Sequence, residues 1–142
     1  MRRLRSATVA CPCCGYRTLN ERAAYDICRL CWWEDDGQDD RDAEQVRGGP
    51  NGHESLVSAR LNFRDHLTMY PRDGDSRIGG ADTPSEVEAK RALMNALDRI
   101  RTANSNEVPA MLTEIDRAEA QLETETERKI AQYEQHHRSG PA

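Results

Sequence analysis

An α+β fold is what this 142-residue sequence predicts: a small cysteine-rich ribbon with a packing helix, followed by a C-terminal antiparallel helical hairpin. Three observations carry the prediction. All five cysteines lie between residues 11 and 33. Five of the seven aromatic residues (Tyr16, Tyr25, Trp32, Trp33 and Phe63) fall within the first 63 positions. Beyond residue 83 the apolar side chains recur at helical spacing and are mostly Leu, Ile, Met, Val and Ala.

The cysteines form two Cys-x-x-Cys units, Cys11 with Cys14 and Cys28 with Cys31, separated by thirteen residues. Zinc takes four ligands at tetrahedral corners, and thiolates suit it. Each unit offers two sulfurs on one side of a tight turn, which Pro12 and Gly15 favour in the first. The spacing therefore predicts a zinc-ribbon-like head holding one structural zinc ion through Cys11, Cys14, Cys28 and Cys31. Residues 16–27 have the length of a short β-hairpin, with Tyr16, Leu19, Tyr25 and Ile27 as packing residues. Cys13 is left over, either as a packed spare thiol or as a reactive one. Redox chemistry of the thioredoxin kind is the rival reading of Cys-x-x-Cys, but that motif sits in a βαβ pattern, and none is visible here.

Residues 34–54 read as a polar loop ending in Gly48-Gly49-Pro50-Asn51-Gly52. Ser55 is a good N-cap for a helix over 55–70. Leu56, Ala59, Phe63, Leu67 and Tyr70 share one face of it, and Pro71 is the expected terminator. Residues 71–83 read as a linker. Thr83-Pro84-Ser85-Glu86 is a capping box with proline at the first helical position.

The hairpin is expected over 84–136. Val87, Ala89, Leu93, Ala96, Leu97 and Ile100 line its first helix. Met111, Leu112, Ile115, Ala118 and Leu122 line the second, for which Asn106 is the candidate cap. The second stripe weakens after Leu122 and resumes at Ile130 and Tyr133. Glu86 with Lys90, and Glu125 with Lys129, have the spacing of intrahelical ion pairs. Residues 137–142 are expected to fray.

Cys11-Pro12-Cys13-Cys14-Gly15-Tyr16 and Tyr25-Asp26-Ile27-Cys28-Arg29-Leu30-Cys31-Trp32-Trp33-Glu34-Asp35-Asp36 together resemble the bacterial cysteine-rich CPCC family. Gly49-Pro50-Asn51-Gly52, Ser55-Leu56, Ala59-Arg60 and Asn62-Phe63 extend the resemblance, so that it covers about residues 10–65. It implies a small cysteine-rich, zinc-binding domain and supplies no reaction. It also puts Asn51, Ser55, Asn62 and the Glu34-Asp35-Asp36 run in one unit, where they would lock the helix onto the ribbon. The hairpin reads as an addition to that core.

The formal net charge is -5. An acidic surface repels phosphate, which weighs against nucleic acid as a partner. Arg17, Arg22 and Arg29 on the ribbon, with the leading Arg2-Arg3-Leu4-Arg5, keep a nucleic-acid-binding zinc ribbon as the alternative. A thiol-redox enzyme using Cys13, or a metal-assisted hydrolase using the acids Glu34 to Asp42, is the second alternative. His53 and His66 complete no catalytic order. No segment reaches the roughly 20 apolar residues of a membrane span, and a cytoplasmic location is expected. The reading reached is a zinc-binding, non-catalytic interaction or regulatory module. Its partner would be another protein, or a second copy engaged through the hairpin.

Overall fold

The computed structural model describes residues 3–138, which divide into two compact units, one ending at Gly74 and the other beginning at Asp75. Arg2 of the basic lead and residues 139–142 of the expected tail lie outside the described residues.

The first unit starts with a 3-10 turn over Leu4–Ser6 that buries Leu4. Strand β1 (Val9–Ala10) then pairs antiparallel with β2 (Arg17–Leu19). Val9 faces Leu19 and Ala10 faces Arg17, with an irregularity between the two pairs. This pairing flanks the first cysteine turn. The hairpin expected within residues 16–27 does not form. Instead, the second pairing flanks the second cysteine turn, as a bridge between Ile27 and Glu34. The reason is local: a Cys-x-x-Cys segment closed by its own hydrogen bonds is itself the turn of a hairpin, so the strands lie on either side of it. Of the residues assigned to packing, Leu19 is fully buried, Tyr16 meets the Phe63 ring edge-on, and Tyr25 and Ile27 are exposed.

Helix α1 (Leu56–His66) begins at Ser55, whose hydroxyl accepts the Ser58 N–H at 3.0 Å. It ends four residues short of the expected limit. Leu67 adopts a left-handed conformation (φ 68°) and donates its N–H to the Phe63 carbonyl at 2.8 Å. Tyr70 is therefore off the helix, and Pro71 is not the terminator. The chain turns because residues beyond the helix are captured elsewhere. Asn62 Nδ2 donates to the Met69 carbonyl, and the Met69 N–H donates to the Cys31 carbonyl, both at 2.8 Å. Leu19, Leu30, Trp33, Leu56, Ala59 and Met69 form the core of this unit. Each fully buried leucine there contributes about 1.5–3 kcal/mol.

The second unit holds α2 (Pro84–Ile100) and α3 (Val108–Arg138). The capping box at Thr83 and Glu86 is formed in both directions, at 3.1 and 3.0 Å. The helices run antiparallel: Arg99 late in α2 meets Glu114 early in α3, and Glu86 early in α2 meets Lys129 late in α3. At the start of α3, the Glu107 carboxylate reaches back to accept the Asn104 N–H at 3.1 Å, the contact that an acid makes in the reciprocal half of a capping box. α3 continues through Arg138, so His137 and Arg138, placed in a frayed tail by the sequence, are helical.

Three sequence readings change here. The apolar stripe of α3 weakens after Leu122 as read, but it does not resume at Tyr133, which is exposed, and the buried face continues through charged residues instead. Glu119, Glu125 and Lys129 are buried on it, between and beyond Ile115 and Leu122. The spacing persists, and only the chemistry turns ionic. The expected intrahelical pairs also give way: Lys129 crosses to Glu86, and Glu125 is held by Arg128 and Gln121. Residues 75–82 are not a free linker either. Asp75, Arg77 and Asp82 bury their side chains within this unit.

Candidate metal centre

The two cysteine turns are built alike. In the first, the Cys11 N–H donates to the Tyr16 carbonyl and the Gly15 N–H to the Cys11 carbonyl, both at 2.8 Å. In the second, the Cys28 N–H donates to the Trp33 carbonyl at 2.9 Å and the Trp32 N–H to the Cys28 carbonyl at 2.8 Å. Gly15 and Trp32 close these turns with positive φ, 82° and 70°. Glycine takes that conformation freely. For tryptophan it costs roughly 1–2 kcal/mol, which the fully buried Trp33 beside it and the two turn hydrogen bonds offset.

This construction turns four sulfurs toward one point. The Sγ atoms of Cys11, Cys14, Cys28 and Cys31 all lie within 4.8 Å of one another. Cys11 to Cys31 and Cys14 to Cys28 are each 3.6 Å. The cysteines are free thiols, with no disulfide among the described residues. Four thiolates at about 2.3 Å from a tetrahedral ion would stand about 3.8 Å apart, so the two 3.6 Å separations are close to edges of such a tetrahedron. Among the described residues it is the one group of three or more His, Cys, Asp or Glu side chains whose ligand atoms converge.

The surroundings suit negative sulfur. The Thr18 hydroxyl donates to Cys28 Sγ at 3.0 Å. The Cys31 N–H points at Cys28 Sγ and the Trp33 N–H at Cys31 Sγ, each at 3.4 Å. Burial raises the Cys14 and Cys31 thiols well above the ordinary range. It works against the Cys28 thiolate too, yet the thiols of Cys11, Cys14 and Cys31 donate to it and hold it well below that range. A thiolate buried among thiols is a negative charge that a bound cation would balance.

α1 and the residues after it wall the site. Arg60 Nε donates to the Pro12 carbonyl at 2.9 Å, and the Thr68 hydroxyl reaches the Cys31 carbonyl. Cys11, Cys28 and Cys31 are buried and Cys14 is half-buried. Cys13 is also buried, with its thiol against Cys31 but outside the group of four.

The acids after Trp33 are absorbed by the backbone rather than gathered around an ion. Asp35, fully buried, accepts the Ala23 N–H at 2.7 Å, the Gly37 N–H at 3.2 Å and Arg22 Nε at 2.9 Å. Asp39 and Asp42 cap the 3-10 turn Asp40–Asp42 reciprocally. Asn51 pairs with Glu34 as a strand would, donating Nδ2 to its carbonyl at 2.8 Å and accepting its N–H at 3.0 Å. His53 is exposed, and His66 Nε2 sits 2.5 Å from the Tyr70 carbonyl, so neither joins the sulfurs. Thr18 is the contributor that sequence reading missed; a threonine on a short strand carries no signal of its own.

Two cysteine turns facing each other, with a helix closing the site, define a small cysteine-rich α+β module with a four-thiol cluster. The model of the Cysteine-rich CPCC family matches residues 9–86, and the chain belongs to that family. The matched segment passes the end of α1 and reaches Glu86 in the first turn of α2, further than the residues 10–65 that carry the visible motifs. No curated protein and no solved structure matches the chain. Among the described residues, no helix is long and apolar enough to cross a membrane.

Proposed function

We propose that Cys11, Cys14, Cys28 and Cys31 hold one structural zinc ion, and that the zinc-ribbon-like head is a non-catalytic platform for a protein partner. The convergence of four thiols within 4.8 Å carries this reading. Four sulfurs complete the shell zinc prefers and leave no open position for water or substrate, which is the condition of a structural rather than a catalytic site. Soft thiolates also select zinc over magnesium or calcium, which take oxygen ligands.

The surroundings favour a protein partner over nucleic acid. Arg22 is tied to Asp35 and Asp39, Arg47 to Asp42, and Arg60 to Asp40. These arginines are charge-balanced within the module, so they supply little net attraction to phosphate. Val57 and Leu61, one turn apart on α1, stay exposed. They offer an apolar contact of the kind a partner protein covers.

Cobalt substitution tests the site. Co²⁺ bound by four thiolates gives intense ligand-field and charge-transfer absorption, displaced stoichiometrically by zinc. Cys→Ser at any of the four positions is expected to weaken that spectrum, whereas Cys13→Ser leaves it intact. A weak, octahedral-type spectrum in the unmodified protein would rule the four-thiolate site out.

A further inference from the structure

The chain contains two lysines, Lys90 and Lys129; its other eighteen basic residues are arginines. Both lysines are buried in the second unit, at 0% and 7% exposure. Their ammonium groups are held by the same short segment. Lys90 Nζ lies 2.6 Å from Asp82 Oδ2. Lys129 Nζ lies 3.0 Å from Glu86 Oε1 and donates at 3.0 Å to the Gly80 carbonyl. Arg77 pins the segment from within, with its guanidinium on Asp75 at 2.6 and 3.0 Å and on Asp82 at 2.8 Å. The backbone at Gly79 rests on the Lys129 stem: a Cβ there would fall 2.9 Å from Lys129 Cγ.

We propose that residues 75–82 form an ionic clasp over the hairpin, and that the closed clasp shields the chain's only two lysines from amine-directed modification. Acylation needs a neutral amine that a reagent can reach. The amine lone pair attacks the acyl carbonyl, the C–N bond forms, the leaving group departs with its bonding electrons, and the amine proton goes to solvent. In the closed clasp both nitrogens are buried against carboxylates, which excludes the reagent.

The clasp lacks helix or strand and holds α2 and α3 through Asp82 on Lys90 and Gly80 on Lys129, the kind of segment that opens locally before helices unfold. Opening leaves Lys90 and Lys129 without Asp82 and Gly80. An acyl group added then removes the charge on which those contacts depend. Modification therefore latches the open form, and the second unit carries a device that records its own opening. The class of reagent is an acyl donor, or an enzyme that forms amide or isopeptide bonds on lysine.

The test is competitive labelling with the N-hydroxysuccinimide ester of acetate. Nα-acetyl-lysine amide serves as the reference amine in the same tube, and each lysine is read by peptide mass spectrometry. In the folded protein both lysines should label at least about a hundredfold more slowly than the reference, because opening is a minor state. In urea they should match the reference. Gly79→Ala, which displaces the segment from Lys129, should raise Lys129 labelling by about tenfold or more. Asp82→Asn should do the same for Lys90 through the loss of its counter-ion. Amide exchange at Leu93 and Ile115 should stay unchanged in both variants. Folded-state labelling within about threefold of the reference would overturn the shielding. Variant labelling that merely tracks faster exchange at Leu93 and Ile115 would overturn the clasp as a separate device.

Discussion

Gly15 and Trp32 occupy the same place in two turns of unlike sequence. Each donates its N–H at 2.8 Å to the carbonyl of the cysteine four residues earlier, and each does so with positive φ, 82° and 70°. The first turn takes the residue that fits this geometry without strain, and the second takes one that does not. The fold tolerates Trp32 there because the next residue, Trp33, is fully buried and ties its carbonyl to Cys28.

The first prediction concerns that position. A Cβ at Gly15 would meet nothing within 4 Å, so its only penalty is backbone conformation. Gly15→Ala should cost about 1 kcal/mol in denaturant unfolding. The metal content should stay the same, because the sulfurs are not moved.

Thr18 tests the surroundings of the sulfurs. Thr18→Val keeps the shape and removes the hydroxyl that donates to Cys28 Sγ at 3.0 Å. Groups that orient and stabilise metal ligands typically change affinity by 10–100-fold, so about a tenfold weaker hold on zinc is expected. Competition with a chromophoric chelator measures it.

Asp35 is predicted to matter for stability rather than for metal. Asp35→Asn keeps one acceptor and turns the other into an NH₂ that faces a donor, either the Gly37 N–H at Oδ1 or the Ala23 N–H and Arg22 guanidinium at Oδ2. A loss of about 2–4 kcal/mol is expected for a buried group left with mismatched partners. Unfolding followed at saturating zinc separates this from any effect on the site.

The second unit should lose stability in acid. Burial opposes the Asp75 carboxylate, but the Arg77 guanidinium outweighs that and holds its pKa below the ordinary 3.8. The folded value lies below the unfolded one, so the unfolded chain binds more protons between them. The contribution is complete above about pH 5 and is lost as pH falls through 3.8 to the folded value below it. Asp75→Asn should flatten that part of the stability profile, as read by helical circular dichroism.

Much of this was legible in the sequence because the determinants are local. The spacing of Cys11, Cys14, Cys28 and Cys31 encodes two turns, and a turn needs no distant partner. The capping box of Thr83 and Glu86 is equally local, and it forms as read. What escaped depends on contacts between segments far apart in the chain. Leu67 ends α1 because Met69 is drawn to Cys31, 38 residues earlier. Lys129 leaves its expected partner because Glu86 and Gly80 face it in space. The charged part of the buried face of α3 went unread because a pattern of apolar residues does not count Glu119, Glu125 and Lys129 as buried. A polar loop over 34–54 does not announce that Asp35 is fully buried, held by the Ala23 and Gly37 N–H groups and by Arg22.

Native mass spectrometry of the protein purified without added metal, before and after a chelator, tests the central claim most directly. The account predicts one zinc per chain, removed by the chelator, with the four cysteines alkylated only once the metal has gone. A chain without metal, two or four hydrogens lighter than the reduced mass, would mean disulfides between these sulfurs and would contradict it.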